Sequence, residues 1–227
     1  MKNLLIFGSG DHAKVVIAEA LKFKKKYNTL GFCCNSKKIG KIIFKEKNKN
    51  YSIICNFKNI NKKIKKKKIY GIIGVADNFV RKKIYDELKK NRNIIWQSII
   101  SIDAKKNSNV KIGKGSFVAS NNFINTGTII KDHCLINTSS SLDHDNLFKN
   151  FSSTAPGVIT GGNVIVGESS HIGVGAKIQN NIKIEKNTII GSGSIVIKNC
   201  KKDSVYFGSP AKFIRKKKLN ERFLSKK

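Results

Sequence analysis

A chain of 227 residues, 40% of them hydrophobic, can hold one large domain or two small ones and is excluded from the disordered class. Its apolar runs are too short to span a bilayer, the start from Met1 to Phe7 lacks a signal-peptide pattern, and none of the five cysteines forms a CxxC pair, so a reduced, cytoplasmic protein is expected. The formal net charge of +31 would suit a polyanion partner, but among the 45 basic residues only Arg81, Arg92, Arg215 and Arg222 are arginines. That lysine bias, with abundant Asn and Ile, reads as composition, and no specific nucleic-acid partner is expected.

The first element predicted is a buried strand, Leu4 to Phe7, followed by the turn Gly8-Ser9-Gly10-Asp11-His12 and a helix from Ala13 to Leu21. Strand, glycine turn and helix open a Rossmann-like unit, in which the helix N-terminus can face a phosphate. A dinucleotide site would want an acidic residue about 20 positions on. The stretch Leu30 to Asn35 has none, so the turn suits a nucleotide-sugar phosphate better than NAD. A strand is predicted over Ile69 to Ala76, then a helix capped by Asp77 or Asn78 with Val80, Ile84 and Leu88 as its apolar stripe. The lysine run from Lys62 to Lys68 reads as a solvated connection, and Ile94 to Trp96 closes the sheet. These elements make an α/β domain over 1–95.

From about Val110 to Val196 the sequence repeats every six residues. The positions Ile112, Val118, Ile124, Ile130, Ile136, Leu142, Phe148, Thr154, Thr160, Val166, Ile172, Ile178, Ile184, Ile190 and Val196 are all large and apolar except for the two threonines. Two residues before each lies a smaller one, from Val110 and Ser116 through Cys134 to Ser194, suited to an inward corner. Glycine often follows the apolar position, as at Gly113, Gly161, Gly167, Gly173 and Gly191, where conformational freedom at a corner is the expected reason. A period of six is no amphipathic helix. It fits short strands joined by turns, three to a coil, in a triangular parallel β-helix of about five coils. The division expected is an N-terminal domain over 1–95, a β-helix over 96–208 and a basic, solvated tail over 209–227.

The repeat resembles that of the left-handed β-helix hexapeptide acyltransferases. Several motifs together resemble one branch of them, the sialic acid O-acetyltransferase and UDP-amino-sugar N-acetyltransferase family (NeuD/PglD-like). They are Gly8 to Val16; Gly74 to Ile84 with Asp77 and Asn78; Asn137 to Asp145; Ala155-Pro156-Gly157; Gly161 to Val164; and Gly208-Ser209-Pro210-Ala211-Lys212. The chain departs from the pattern in two places. Asp11 stands where a glycine is usual, and Cys33, Cys34 and Asn35 stand where aspartates are, which bears on nucleotide recognition.

The resemblance implies an acetyl-CoA-dependent transfer to an amine or hydroxyl of a sugar, in a homotrimer with its sites between neighbouring β-helices. It implies His144 as general base, Asp145 as its carboxylate partner and Asn137 as a positioning residue. Gly162 lies eighteen residues, one coil, beyond His144, where its backbone N–H could meet the thioester oxygen. Val174 and Ser192 fall where the family touches CoA, and Ser153 replaces a second histidine near CoA. Gly8, Ser9, Gly10, His12, Asp77 and Asn78 are implied on the sugar-binding side. His133 and His171 read as exposed structural histidines, and no metal is expected. Two rivals stay open: a metal-dependent β-helix enzyme of the carbonic anhydrase kind, although the spacing of His133, His144 and His171 suits zinc poorly, and a non-catalytic polyanion-binding module.

Overall fold

A computed structural model describes residues 1–23, 25–65, 67–218 and 221–223. Two compact units emerge, one of residues 1–76 and 80–99, the other of residues 77–79 and 100–227.

In the first unit β1 (Lys2–Phe7), α1 (Asp11–Lys22), β2 (Tyr27–Cys33), β3 (Ile42–Glu46), β4 (Lys49–Cys55), α2 (Ile60–Lys63), β5 (Ile69–Ile73), α3 (Asn78–Leu88) and β6 (Ile94–Trp96) follow in chain order. They build one sheet in the order β3-β4-β2-β1-β5-β6, parallel except for the β3–β4 hairpin. The apolar run of β1 is buried throughout because the strand lies in the interior of the sheet, between β2 and β5. Ile84 and Leu88 of the predicted stripe are buried. The hairpin is an addition to the expected elements. β3 carries an exposed, half-polar sequence on the sheet edge, so no two-residue alternation marks it. At the start of the lysine run a short helical turn buries Ile60 and Ile64, while the described lysines of the run face solvent.

The second unit is a parallel β-helix. Its first face stacks Ile99–Ile100, Phe117–Val118, Leu135–Ile136, Ser153–Thr154, His171–Ile172 and Ile189–Ile190. The second stacks Lys105–Lys106, Phe123–Ile124, Ser141–Leu142, Ile159–Thr160, Lys177–Ile178 and Ile195–Val196, and the third runs from Lys111–Ile112 to Lys183–Ile184. Strands thus begin at Ile99, two hexapeptides before the repeat becomes legible at Ile112. The apolar track from Val118 to Val196 is buried in the prism. The corner track is buried too, and its polar members satisfy turn backbone: Ser116 Oγ donates to Lys131 O at 2.8 Å, and Asn146 Oδ1 accepts from Val164 N at 2.7 Å. Cys134 packs inside, as expected.

The glycines after the apolar track have another role than the expected one. Backbone of positive φ recurs every six residues at different positions, from Asn109, Gly115 and Asn121 through His133, Ser139, Asp145 and Phe151 to Asn187 and Gly193. Glycine and asparagine dominate there because they tolerate the left-handed region best. Gly161 and Gly173, by contrast, make room for the next coil. A Cβ would stand 2.7 Å from Asn180 N or 2.6 Å from Ser192 N.

The segment expected as a solvated tail is partly ordered. Ala211–Lys216 pairs antiparallel with Ser204–Gly208, which extends the first face. The rest of that expectation, at 219–220 and 224–227, lies outside the described residues. His133 and His171 are buried, not exposed. His133 stacks on Phe151 with ring centroids 5.1 Å apart, and His171 stacks on Phe223. The six-residue register says which way a side chain points, but not that a neighbouring coil or the returning C-terminus covers it.

Candidate active site

His144, Asp145, Gly162, Asn137, Val174 and Ser192 sit in turns between two-residue strands, where backbone geometry is set by the coil below and the coil above. His144 and Asp145 occupy the turn between Ser141–Leu142 and Leu147–Phe148, the corner joining the second and third faces. Asp145 takes the left-handed conformation, with φ 55°. The two carboxylates flank an exposed imidazole. His144 Nδ1 lies 2.9 Å from Asp145 Oδ2. A carboxylate only accepts, so Nδ1 carries the proton and the neutral ring presents Nε2 as a lone pair. The hydrogen bond to Asp145 raises the His144 pKa above its ordinary 6.5, and the charges of Asp143 and Asp145 add to the rise. Asp143 is held below the usual carboxylate range by donors from Asn125 and from the His144 backbone.

Gly162 stands one coil above. A Cβ there would lie 2.5 Å from His144 Cε1 and closer still to Nε2, so the ring rests against the glycine backbone. The Gly162 carbonyl accepts from Asn181 N at 2.9 Å. Among the described residues no acceptor takes the Gly162 N–H, which leaves a backbone donor beside Nε2.

The other expected residues separate into three places. Asn137, Val174 and Ser192 share the next corner, between the first and second faces, with Val174 and Ser192 exposed and Asn137 half-buried. Asn137 Oδ1 accepts from Thr138 N at 2.9 Å. A single chain therefore brings His144, Asp145 and Gly162 together but puts Asn137, Val174 and Ser192 across the second face from them. Ser153 joins neither group. It is fully buried on the first face, with its hydroxyl 2.8 Å from His171 Nδ1. Asp77 and Asn78 are buried within the second unit, where Asn78 Nδ2 donates to Ser170 O at 2.9 Å.

The remaining residues form the glycine turn of the first unit. Gly8 has φ +105°, and a Cβ there would press on Val75 Cγ2 at 2.7 Å, so the turn needs glycine twice over. Ser9 Oγ donates to Cys34 Sγ at 3.1 Å, and Lys37 Nζ donates to Ser9 O at 2.7 Å. Gly10 is exposed at the start of α1. Asp11 turns to solvent and pairs with Lys14 at 3.0 Å, so its carboxylate does not point into the turn. His12 is half-buried, and burial, with the Arg81 charge second, lowers its pKa to about 4. Cys33, facing Cys55 across β2 and β4, has its thiol pKa pushed up by the hydrogen bond to Cys55 and by burial.

His12 gives the fold an acid sensitivity of known sign. The folded chain keeps it neutral down to about 4, whereas the unfolded chain takes the proton near 6.5. Stability is therefore complete above the unfolded value and falls as pH drops through that window, by up to about 3 kcal/mol. Replacing His12 with glutamine is expected to flatten this slope in denaturant unfolding between pH 7 and 4. An unchanged slope would assign the loss to other groups.

Two further residues support the candidate site, and their sequence signal is a break in the apolar track. Thr154 and Thr160 are the exceptions in the apolar track, and each supports a site turn from inside. Thr154 Oγ1 accepts from Asn137 N at 3.1 Å, and Thr160 Oγ1 accepts from Asp143 N at 3.4 Å and Asn146 Nδ2 at 3.0 Å. A polar residue in an otherwise apolar track costs burial energy, and here it is hydrogen-bonded beneath a turn of the candidate site.

Residues 3–88 match the PglD N-terminal domain family. A histidine-to-asparagine mutant of perosamine N-acetyltransferase from Caulobacter crescentus, in complex with CoA and GDP-perosamine, aligns with TM-score 0.86 and 23% identity over 95% of this chain and 98% of that one. The acetyltransferase domain of PglB from Neisseria gonorrhoeae FA1090, in complex with acetyl coenzyme A, aligns with TM-score 0.82 and 25% identity over 94% of this chain and 99% of that one. A serine acetyltransferase from Buchnera aphidicola is 32% identical over 145 residues, 61% of this chain and 49% of the relative. Gamma carbonic anhydrase 2, mitochondrial, from Arabidopsis thaliana is 30% identical over 129 residues, 47% of this chain and 44% of the relative. The chain thus spans about half the length of these curated relatives. The fold is a Rossmann-like domain followed by a left-handed parallel β-helix of the hexapeptide-repeat acetyltransferase type. Among the described residues no group of three His, Cys, Asp or Glu could hold a metal ion, and His133, His144 and His171 sit at separate corners and faces.

Proposed function

We propose, from a PglD N-terminal domain continued by a hexapeptide-repeat β-helix, that this protein is an acetyl-CoA-dependent acetyltransferase acting on the amino group of a nucleotide-linked sugar in bacterial surface-glycan biosynthesis. The observation that carries the reading is the His144–Asp145 pair with Nε2 resting against Gly162. Nε2 takes a proton from the sugar amine as its nitrogen attacks the thioester carbonyl carbon. The oxyanion that forms is met by the Gly162 N–H. Collapse breaks the carbon–sulfur bond, and the imidazolium returns its proton to the departing CoA thiolate. The amide product and CoA account for every atom.

The solved neighbours carry CoA and GDP-perosamine or acetyl coenzyme A, which favours N-transfer to a nucleotide sugar over O-transfer to a sialic-acid-like sugar. The glycine turn, with Lys37 beside Ser9 and a neutral His12, is the acceptor side of this reading. Val174 and Ser192 would contact CoA from a neighbouring copy. The second face supports that arrangement. Phe123, Ile159 and Ile195 point outward from it and are exposed, while Phe117 and Leu135 of the first face are buried. Threefold packing on the second face would set the Val174–Ser192 corner of one copy beside the His144 corner of the next. No helix among the described residues is long and apolar enough to cross a membrane. All five cysteines are buried thiols, which supports a reducing compartment.

Incubation with acetyl-CoA and a panel of nucleotide-linked amino sugars and free sialic acids, followed by release of CoA, tests the reading. Turnover with a nucleotide amino sugar is expected, and CoA release with none of them would refute it. Protonation disarms the base, so kcat/KM is expected to fall with decreasing pH through an inflection above 6.5. Asp145→Asn removes the principal cause of the raised value. In pH–rate profiles of both proteins its inflection should move to lower pH.

A further inference from the structure

We propose that Asn125, turned by Asn107, is a positioning residue for the His144 base and acts through Asp143. The inference rests on the acetyl-transfer reading. The three side chains take equivalent places on three successive coils, eighteen residues apart. Asp143 Oδ1 accepts from Asn125 Nδ2 at 2.9 Å and from the His144 backbone N–H at 2.8 Å. Because a carboxylate cannot donate, Asn125 has to aim its NH2 group at Asp143. Its oxygen then faces the other way, where it accepts from Asn107 Nδ2 at 2.8 Å and from Thr126 N at 2.8 Å. The amides therefore run in one sense along the corner and end on the carboxylate next to the base.

The ladder also stops there. On the following coils the same column holds Gly161, Gln179 and Ile197, none of which continues it. A device that merely stapled coils together would have no reason to end at the His144 turn. The coil of Asn125 supports the other flank of the imidazole as well. Asp145 N donates to Thr126 O at 3.0 Å, and a Cβ on Gly127 would overlap Asp145 Oδ1 and stand 3.1 Å from its Cγ. Residues 125–127 thus seat both carboxylates, one by donating to it and one by leaving room for it.

Two variants test the ladder without touching the base. Asn125→Leu keeps the branching at Cγ and removes both ends of the relay. Asn107→Asp sets an acceptor against the Asn125 oxygen, so the amide either turns its NH2 group away from Asp143 or faces the new carboxylate oxygen to oxygen. Misplacing a catalytic group by a fraction of an ångström is expected to lower kcat about ten- to a hundredfold for Asn125→Leu, with a smaller loss for Asn107→Asp. KM for acetyl-CoA should stay within about twofold, and the melting temperature within about 3 °C, as for surface substitutions. A readout independent of turnover is the His144 inflection in an NMR titration of the ligand-free protein, which should move toward the ordinary histidine value in both variants as the Asp143 charge leaves its place. Wild-type kcat and a wild-type inflection in both variants would overturn the proposal. If the wild-type protein acetylates nothing, the transfer reading fails on its own and the inflection alone decides the positioning.

Discussion

Replacing His144 with alanine is expected to lower kcat for acetyl transfer about 10²- to 10⁴-fold, the usual contribution of a positioned general base. The side chain is exposed at a corner of the prism, and among the described residues its ring hydrogen-bonds only to Asp145. Its loss leaves the apolar interior and the backbone ladder of the turn in place, so melting temperature and oligomeric state should hardly change. KM for acetyl-CoA should stay close to wild type, because the imidazole serves the transition state more than the ground state. Near-wild-type kcat in steady-state CoA-release kinetics would show that another group takes the proton. His133 and His171 are poor substitutes, since both are buried against aromatic rings.

The second large effect is expected at a residue with no side chain. Gly162→Ala would set a methyl group into the imidazole, and the three nearest atoms it would meet all belong to His144. Gly162 lacks the positive φ found at the corner glycines, so its backbone accepts alanine without strain. The clash is therefore relieved at the ring. The exposed imidazole swings off, its bond to Asp145 breaks, and Nε2 leaves the Gly162 N–H. A displacement of about 1 Å in a reacting group can cost about 10²-fold, and a loss of that order in kcat is expected. Stability should change by less than about 1 kcal/mol, because no buried group is disturbed. Since the alanine acts through the ring, adding Gly162→Ala to His144→Ala should lower kcat little further. Additive losses in that double-mutant cycle would mean that the glycine works independently of the base, through the oxyanion alone.

The β-helix was legible because its physics is periodic. Every sixth side chain enters a narrow prism, so Ile112 to Val196 announce themselves without reference to anything distant. The same regularity concealed its ends. Ile99–Ile100 and Lys105–Lys106 are strands of the same β-helix, but the exposed lysine pair puts Lys106 at the track position where an apolar residue would mark the repeat. The role of the glycines was misread for a related reason. Positive φ falls on Asn109, Asn121, Asp145 and their companions, whereas Gly161 and Gly173 answer to atoms of the next coil. In the first unit, the buried β1 and the stripe of α3 were legible from apolar spacing, while the exposed β3 edge strand has no spacing to read.

Sequence alone determined the six-residue architecture and the Rossmann-like opening, and the cluster Asp143-His144-Asp145 marked the candidate base. A coil of eighteen residues even implied that Gly162 stacks on His144, because in a solenoid separation along the chain is position along the axis. Tertiary structure decided what depends on neighbours across coils. It showed which nitrogen of His144 faces Gly162, that Thr154 and Thr160 break the apolar track to hold the turns of Asn137 and Asp143, and that Ser153 is buried against His171. It also showed that Asn137, Val174 and Ser192 lie on another corner than His144. Periodicity specifies the direction of a side chain within its own coil. Contact, hydrogen-bond polarity and burial are set by residues eighteen positions away or by the returning C-terminus, and those relations appear only when the coils are stacked.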